Sequence, residues 1–254
     1  MEGSVEYIEQ GSVLHGSATG LMGTRLDLLV CRLPREKEQA LWERLTALAR
    51  RLDAVFNRFN PDSELSALNE GYISEDQTGP ELTEALALAE SYRERTGGLF
   101  DITAPGRFLN GPRYDFGGFA KGYFVRLAQE ILLAEGVGSA YLDFGGSTIL
   151  GIGNHPAGPA WRVSLLSPRT GIRLAEVELS GRTLSTSGNT VRYSGHVVDP
   201  RTGERNCRPV LTTALSADPL EAEVLSTAAM SAGPEDLEAL RRAFPQTDIN
   251  HYEI

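Results

Sequence analysis

The sequence predicts an α+β fold. Long stretches with apolar residues at helical spacing dominate the first half of the chain, and short strand-like runs separated by Gly, Pro and Asn dominate the second. That order is not the strict alternation that winds a parallel sheet, so helices packed on mainly antiparallel sheets are expected. At 254 residues the chain can bury a full core, and no repeat, low-complexity run or Pro/Ser-rich linker divides it, so one unit spanning 1–254 is expected.

Taken in order, residues 22–30 (M-G-T-R-L-D-L-L-V) read as a strand with partial alternation. Residues 37–59 read as a helix with Leu41, Leu45, Leu48, Leu52, Val55 and Phe59 on one stripe. Asn60-Pro61-Asp62-Ser63 breaks it, and Ser63-Glu64-Leu65-Ser66 begins a short second element. Residues 81–95 form another helix, with Leu82, Ala85, Leu86, Ala89 and Tyr92 inward and Gly97-Gly98 as its stop signal. A loop at 114–123 (Y-D-F-G-G-F-A-K-G-Y) runs into an amphipathic helix carrying Phe124, Leu127, Ala128, Ile131 and Leu132. Strands are expected at 140–144, 162–166, 175–179, 183–185, 196–199 and 211–216. Helices at 220–230 and 235–244 close the chain, the second with Pro234 near its first turn.

Composition narrows the function. The 41% hydrophobic and 23% charged content is that of an ordinary soluble globular protein. A net charge of -10 with no offsetting basic stripe argues against nucleic acid as a partner, and a polyanionic ligand would need a local lysine, arginine or divalent metal. Cys31 and Cys207 lack C-x-x-C spacing, so neither a zinc site nor a disulfide framework is indicated. No apolar run approaches transmembrane length, and the acidic start M-E-G-S-V-E-Y-I-E-Q lacks the pattern of a secretory signal. A soluble, cytoplasmic protein is the resulting expectation.

Five segments can carry chemistry. In the loop at 114–123, adjacent glycines let backbone approach a ligand, and Lys121 adds charge at a helix start, which suits a phosphorylated ligand. The same residues read equally as a tight strand-to-helix turn with Asp115 as a capping acceptor; the pattern is not a P-loop. In R-F-N-P-D-S-E-L-S (58–66), Asn60 and Asp62 suit Asx-turns, and Phe59 is either a core residue or a ring stacked on a planar ligand. In T-G-G-L-F-D-I-T (96–103), Asp101 and Thr103 fall on one side if the segment is extended, facing a ligand or satisfying a turn. S-T-S-G (185–188) precedes S-G-H-V-V-D-P-R-T-G (194–203), where His196 near Asp199 is either structural or a general base. Glu223 and Thr227 lie one helical turn apart, so their oxygens share a face and can help hold a hard cation, or serve only solvent and backbone.

Together and in this order the segments resemble the ApbE-type FAD:protein FMN transferases. The elements are M-G-T (22–24), R-F-N-P-D-S-E-L-S, G-G-L-F-D-I-T, D-F-G-G-F-A-K-G-Y, S-T-S-G, H-V-V-D-P-R-T-G and A-E-V-L-S-T-A, covering most of the chain. The resemblance implies a T-fold-like architecture and an enzyme that uses FAD and a divalent metal, usually Mg2+. Such an enzyme passes FMN to a threonine or serine hydroxyl of an acceptor protein and releases AMP. It implies that Met22 and Phe59 line the flavin nucleotide site, with contacts from Phe100, Asp101 and Ile102. It places Asp115 on the adenosine part, Lys121 close to the ligand and Val198 touching it. His196 corresponds to the family's proposed base, and the Gly118 carbonyl, Glu223 and Thr227 to its metal ligands.

Two departures stand out. Glu223 replaces the aspartate of the family's A-D-x-x-x-T pattern, and only A-P-G-R-F-L-N-G-P-R-Y separates Thr103 from Asp115, where relatives commonly carry a longer excursion. The family's usual lipoprotein export signal is also missing from the sequence pattern. Alternative expectations are therefore a non-catalytic FAD-binding carrier or sensor, or an FAD pyrophosphatase giving FMN and AMP.

Overall fold

The computed structural model describes residues 3–8, 13–103, 114–190 and 194–254, with side chains for all of these except 3–8. The shortened stretch between Thr103 and Asp115 lies almost entirely outside the described residues. The first half carries β1 (Gly3–Ile8), β2 (Val13–Leu21), β3 (Thr24–Cys31), α1 (Arg35–Phe56), α2 (Glu64–Asn69), α3 (Pro80–Arg95) and α4 (Ala120–Ala134). The second carries β4 (Ala140–Phe144), β5 (Thr148–Ile152), β6 (Trp161–Leu166), β7 (Arg173–Leu179), β8 (Arg182–Gly188), β9 (Val210–Ser216), α5 (Pro219–Ser231), α6 (Pro234–Ala243) and β10 (Asp248–Glu253).

Eight strands form one sheet in the order β1-β2-β3-β4-β5-β8-β9-β10, each pair antiparallel. The period-2 pattern of its central strands splits the apolar residues between two faces. Leu26, Leu28 and Val30 of β3, and Ala140, Leu142 and Phe144 of β4, join the core under the helices. Leu29, Cys31 and Tyr141 point the other way, into a smaller cluster with Trp161 and Leu179 of the β6–β7 hairpin. That hairpin pairs only with itself and covers the sheet face opposite the helices. The α+β class expected from sequence is thus present, with helices on one face of an antiparallel sheet.

Local chemistry explains the boundaries. The stripe Leu41, Leu45, Leu48, Leu52 and Val55 of α1 is buried as its spacing predicts. The helix stops at Phe56 rather than Phe59, because the Asn57 side chain accepts the Phe59 amide at 3.0 Å in an Asx-turn. Ser63 caps α2 by accepting the Ser66 amide at 3.1 Å. Past α3, the Gly97 and Gly98 amides donate to the Glu94 and Arg93 carbonyls, a Schellman ending that needs the left-handed φ of 63° at Gly97.

Some expectations required correction. The strand expected to start at residue 22 starts at Thr24, because Met22 and Gly23, with φ of 48° and 72°, form the two-residue turn joining β2 to β3. The segment 196–199 is not a strand; Val198 makes a single bridge with Arg205, and Pro200 cannot extend a ladder. Asp101 and Thr103 lie in a turn rather than an extended segment, with Asp101 Oδ1 accepting both the amide and hydroxyl of Thr103 at 2.7 Å. Strands β1, β2, β5 and β10 were not anticipated.

Candidate functional site

A cleft of about 1140 Å³ opens at one end of the sheet, where the β2–β3 turn, the β4–β5 turn and the ends of β8 and β9 meet α1, α4 and α5. Its walls include Met22, Phe59, Phe100, Asp101, Asp115, Gly118, Lys121, His196, Val198, Glu223 and Thr227, drawn from segments far apart in the chain. Every expected site residue except Ile102 is therefore on the wall. Ile102 is buried in the core, and its carbonyl accepts the Asp115 amide at 2.8 Å, so it braces the wall from behind.

Met22 reaches the cleft from a left-handed backbone position, a conformation that costs a non-glycine residue about 1–2 kcal/mol. Phe59 is 78% exposed, so the core alternative for this ring does not hold. Arg58 ties the ring to the loop before α4: its guanidinium lies 4.0 Å from the Phe59 centroid, and its Nε is 3.2 Å from Asp115 Oδ2. Arg58 was not singled out in the sequence, although it directly precedes Phe59 in R-F-N-P.

The loop at 114–123 is pinned from below. Phe116, Phe119 and Tyr123 surround Phe56 at centroid distances of 5.1, 6.5 and 5.6 Å. Asp115 Oδ1 accepts the Gly117 amide at 2.7 Å in an Asx-turn; it does not cap α4, whose N-cap is Phe119. The glycines allow the loop and α4 to approach α5 closely. A Cβ on Gly118 would lie 2.8 Å from Thr227 Cγ2 and Oγ1, and one on Gly122 would lie 2.4 Å from Glu223 Cβ. The Gly122 clash also involves backbone, at 2.9 Å from the Pro219 carbonyl oxygen, whereas the Gly118 clash requires the Thr227 side chain to move.

Beneath the loop lies a buried polar cluster. Glu223 is only 2% exposed. Thr148 and Ser185 are directly paired across β5 and β8, so their side chains share the helix-facing side. Both hydroxyls donate to Glu223 Oε2, at 2.6 and 2.8 Å. The Lys121 ammonium holds Oε1. Thr227 Oγ1 donates to the Glu223 carbonyl at 3.1 Å and lies 3.4 Å from Ser187 Oγ. The serines of S-T-S-G thus belong to this cluster, whereas Thr148 sits in a strand the sequence did not signal.

His196 also lines the cleft, after the end of β8 and before β9. The Asp199 carboxylate accepts the Arg201 amide at 2.9 Å and pairs with the Arg201 guanidinium, which also binds Asp236. Asp199 therefore shapes the turn after His196. Among the described residues no group of three or more His, Cys, Asp or Glu gathers for a metal, and no helix is long and apolar enough to cross a membrane.

The chain is similar to known proteins over most of its length. The chain is 29% identical over 187 residues to the FAD:protein FMN transferase of Rhodobacter capsulatus, an alignment covering 69% of this chain. It spans about a third of that relative's length, 35%. Among solved structures, the flavin transferase ApbE of Vibrio cholerae superimposes with a TM-score of 0.79 at 21% identity, over 98% of this chain and 93% of the other. The flavinyl transferase ApbE of Pseudomonas stutzeri gives 0.78 at 22%, over 99% and 91%. At these identities the structural matches establish the fold alone. The ApbE family's sequence model matches residues 22–106 and 109–249, nearly the whole span from the Met22 turn to β10. The chain belongs to the ApbE family.

Proposed function

We propose that this chain is an FAD:protein FMN transferase, moving FMN from FAD to a threonine or serine hydroxyl of an acceptor protein and releasing AMP. The supporting observation is the gathering, in one large cleft, of an exposed aromatic ring, a histidine and a buried carboxylate flanked by hydroxyls. The cleft, at about 1140 Å³, has room for a ligand of dinucleotide size.

In this reading the Phe59 ring and Met22 pack against the flavin nucleotide, with Phe100, Asp101 and Val198 along the cleft and Ile102 bracing it from behind. Asp115, held by Arg58, accepts from the adenosine part, and Lys121 lies beside the pyrophosphate. The acceptor hydroxyl oxygen attacks the FMN phosphorus and forms the new P–O bond. His196 takes the hydroxyl proton, and the bond to the AMP phosphate breaks. The Glu223 carboxylate, the Thr227 hydroxyl and the Gly118 carbonyl are hard oxygen donors on adjoining turns, a donor set that fits Mg2+ with nucleotide phosphates completing the shell. When bound, the metal neutralises the pyrophosphate and the charge on departing AMP.

The test is incubation with FAD, Mg2+ and a candidate acceptor peptide, following AMP and peptide mass. AMP with an FMN-mass gain supports transfer. AMP without the gain assigns FAD hydrolysis instead, and saturable FAD binding without AMP assigns a carrier. Function as one unit over 1–254 and a cytoplasmic setting belong to the same proposal, checked with the isolated chain and by cell fractionation.

A further inference from the structure

The two oxygens of Glu223 are unequal. Oε2 is saturated by the Thr148 and Ser185 hydroxyls, which are fully buried on central strands. Oε1 is held by the Lys121 ammonium, whose side chain is partly exposed on the cleft wall. Helix stability does not explain the lysine: it occupies the first turn of α4, where a cation opposes the helix dipole and no acidic residue of the same turn offsets it. Nor can α4 carry it away, because Gly122 fixes the helix against Glu223.

Resting on the metal position proposed above, we infer that the Lys121 ammonium and a divalent cation compete for one oxygen, Glu223 Oε1. A carboxylate this deeply buried requires a cation beside it, so loss of one partner favours the other. The lysine leaves by rotation of its own stem, toward the cleft. A bound pyrophosphate offers the displaced ammonium a new partner. Metal and nucleotide are then coupled: each clears the way for the other.

Mn2+ affinity, measured by calorimetry or by electron paramagnetic resonance without nucleotide, tests this directly. Lys121→Met should tighten Mn2+ binding about tenfold or more, and Lys121→Arg, whose fork grips the carboxylate more firmly, should weaken it. FAD should tighten Mn2+ binding to the wild type more than to Lys121→Met. If Lys121→Met melts cooperatively yet binds Mn2+ no better than wild type, the competition is overturned while the metal position stands. Should Lys121→Met fail to fold, Lys121→Arg binding as tightly as wild type overturns it equally. If no form binds Mn2+ even with FAD present, the metal position is wrong and the inference falls with it.

Discussion

At Glu223 an extra methylene, relative to aspartate, changes what the carboxylate can touch. Its length lets one oxygen reach back to Thr148 and Ser185 while the other meets Lys121. Glu223→Ala should abolish metal-dependent AMP release and destabilise the fold by about 1–3 kcal/mol, since buried hydroxyls lose their acceptor; urea unfolding alongside the AMP assay reads both. Glu223→Asp, which restores the family's usual residue, should preserve or raise metal-dependent turnover. Unchanged turnover in the alanine variant would remove Glu223 from the metal site. Gly118 offers a second test: Gly118→Ala should cut turnover at least about tenfold, because the new methyl meets Thr227 at 2.8 Å and displaces its side chain. Single-residue signals were unevenly legible. His196, Glu223 and Thr227 were visible as chemistry-bearing types near glycine or hydroxyl patterns, whereas Arg58 and Thr148 act through Asp115 and Glu223, which lie far from them in the chain.

Among the elements, those with long apolar stripes and clear caps were legible. The α1 stripe, the Schellman ending of α3 and the limits of β4 follow from local chemistry. Those missed owe their form to distant partners. β2 contains Gly16, a residue that weakens a strand pattern, yet a Cβ there would strike the Trp42 ring at 2.4 Å, so α1 demands the glycine. β10 looks like a tail, but it completes the sheet against β9. Its His251 has a pKa below the ordinary 6.5, chiefly through burial and then through Arg208, with Arg241 adding to the effect and Glu253 opposing it. Nε2 of this ring is buried without a hydrogen-bond partner among the described residues. The folded state therefore binds a proton less readily than the unfolded chain. Stability should be indifferent to this group above about pH 6.5 and fall as pH drops below it, levelling off beneath the folded value. Urea midpoints at several pH values should show this slope, and His251→Gln should flatten it. In the helical layer, Gly122→Ala should wedge α4 from α5 and cost about 1–3 kcal/mol in the same assay.

For the whole molecule, class was legible and connectivity was not. A helix-rich first half and a strand-rich second half foretold α+β, but nothing local told that β1, β2 and β3 of the first half continue the sheet of the second. That continuity assembles the cleft, since Met22 and Phe59 must meet His196 and Glu223. A ligand bridging both halves should raise the global melting temperature, with about 2.7 kcal/mol gained at a hundredfold excess of FAD over its Kd. Phe59→Ala should reduce that shift without lowering the melting temperature of the free protein, because the ring is exposed. The pairing of Thr148 with Ser185 has a consequence for folding as well. Slipping β8 by one residue against β5 would turn the Ser185 hydroxyl to the hairpin face and leave Glu223 Oε2 with Thr148 as its one remaining strand donor. The carboxylate thus favours one strand alignment: a slipped β8 leaves a buried acceptor short of a donor, a cost the correct register avoids.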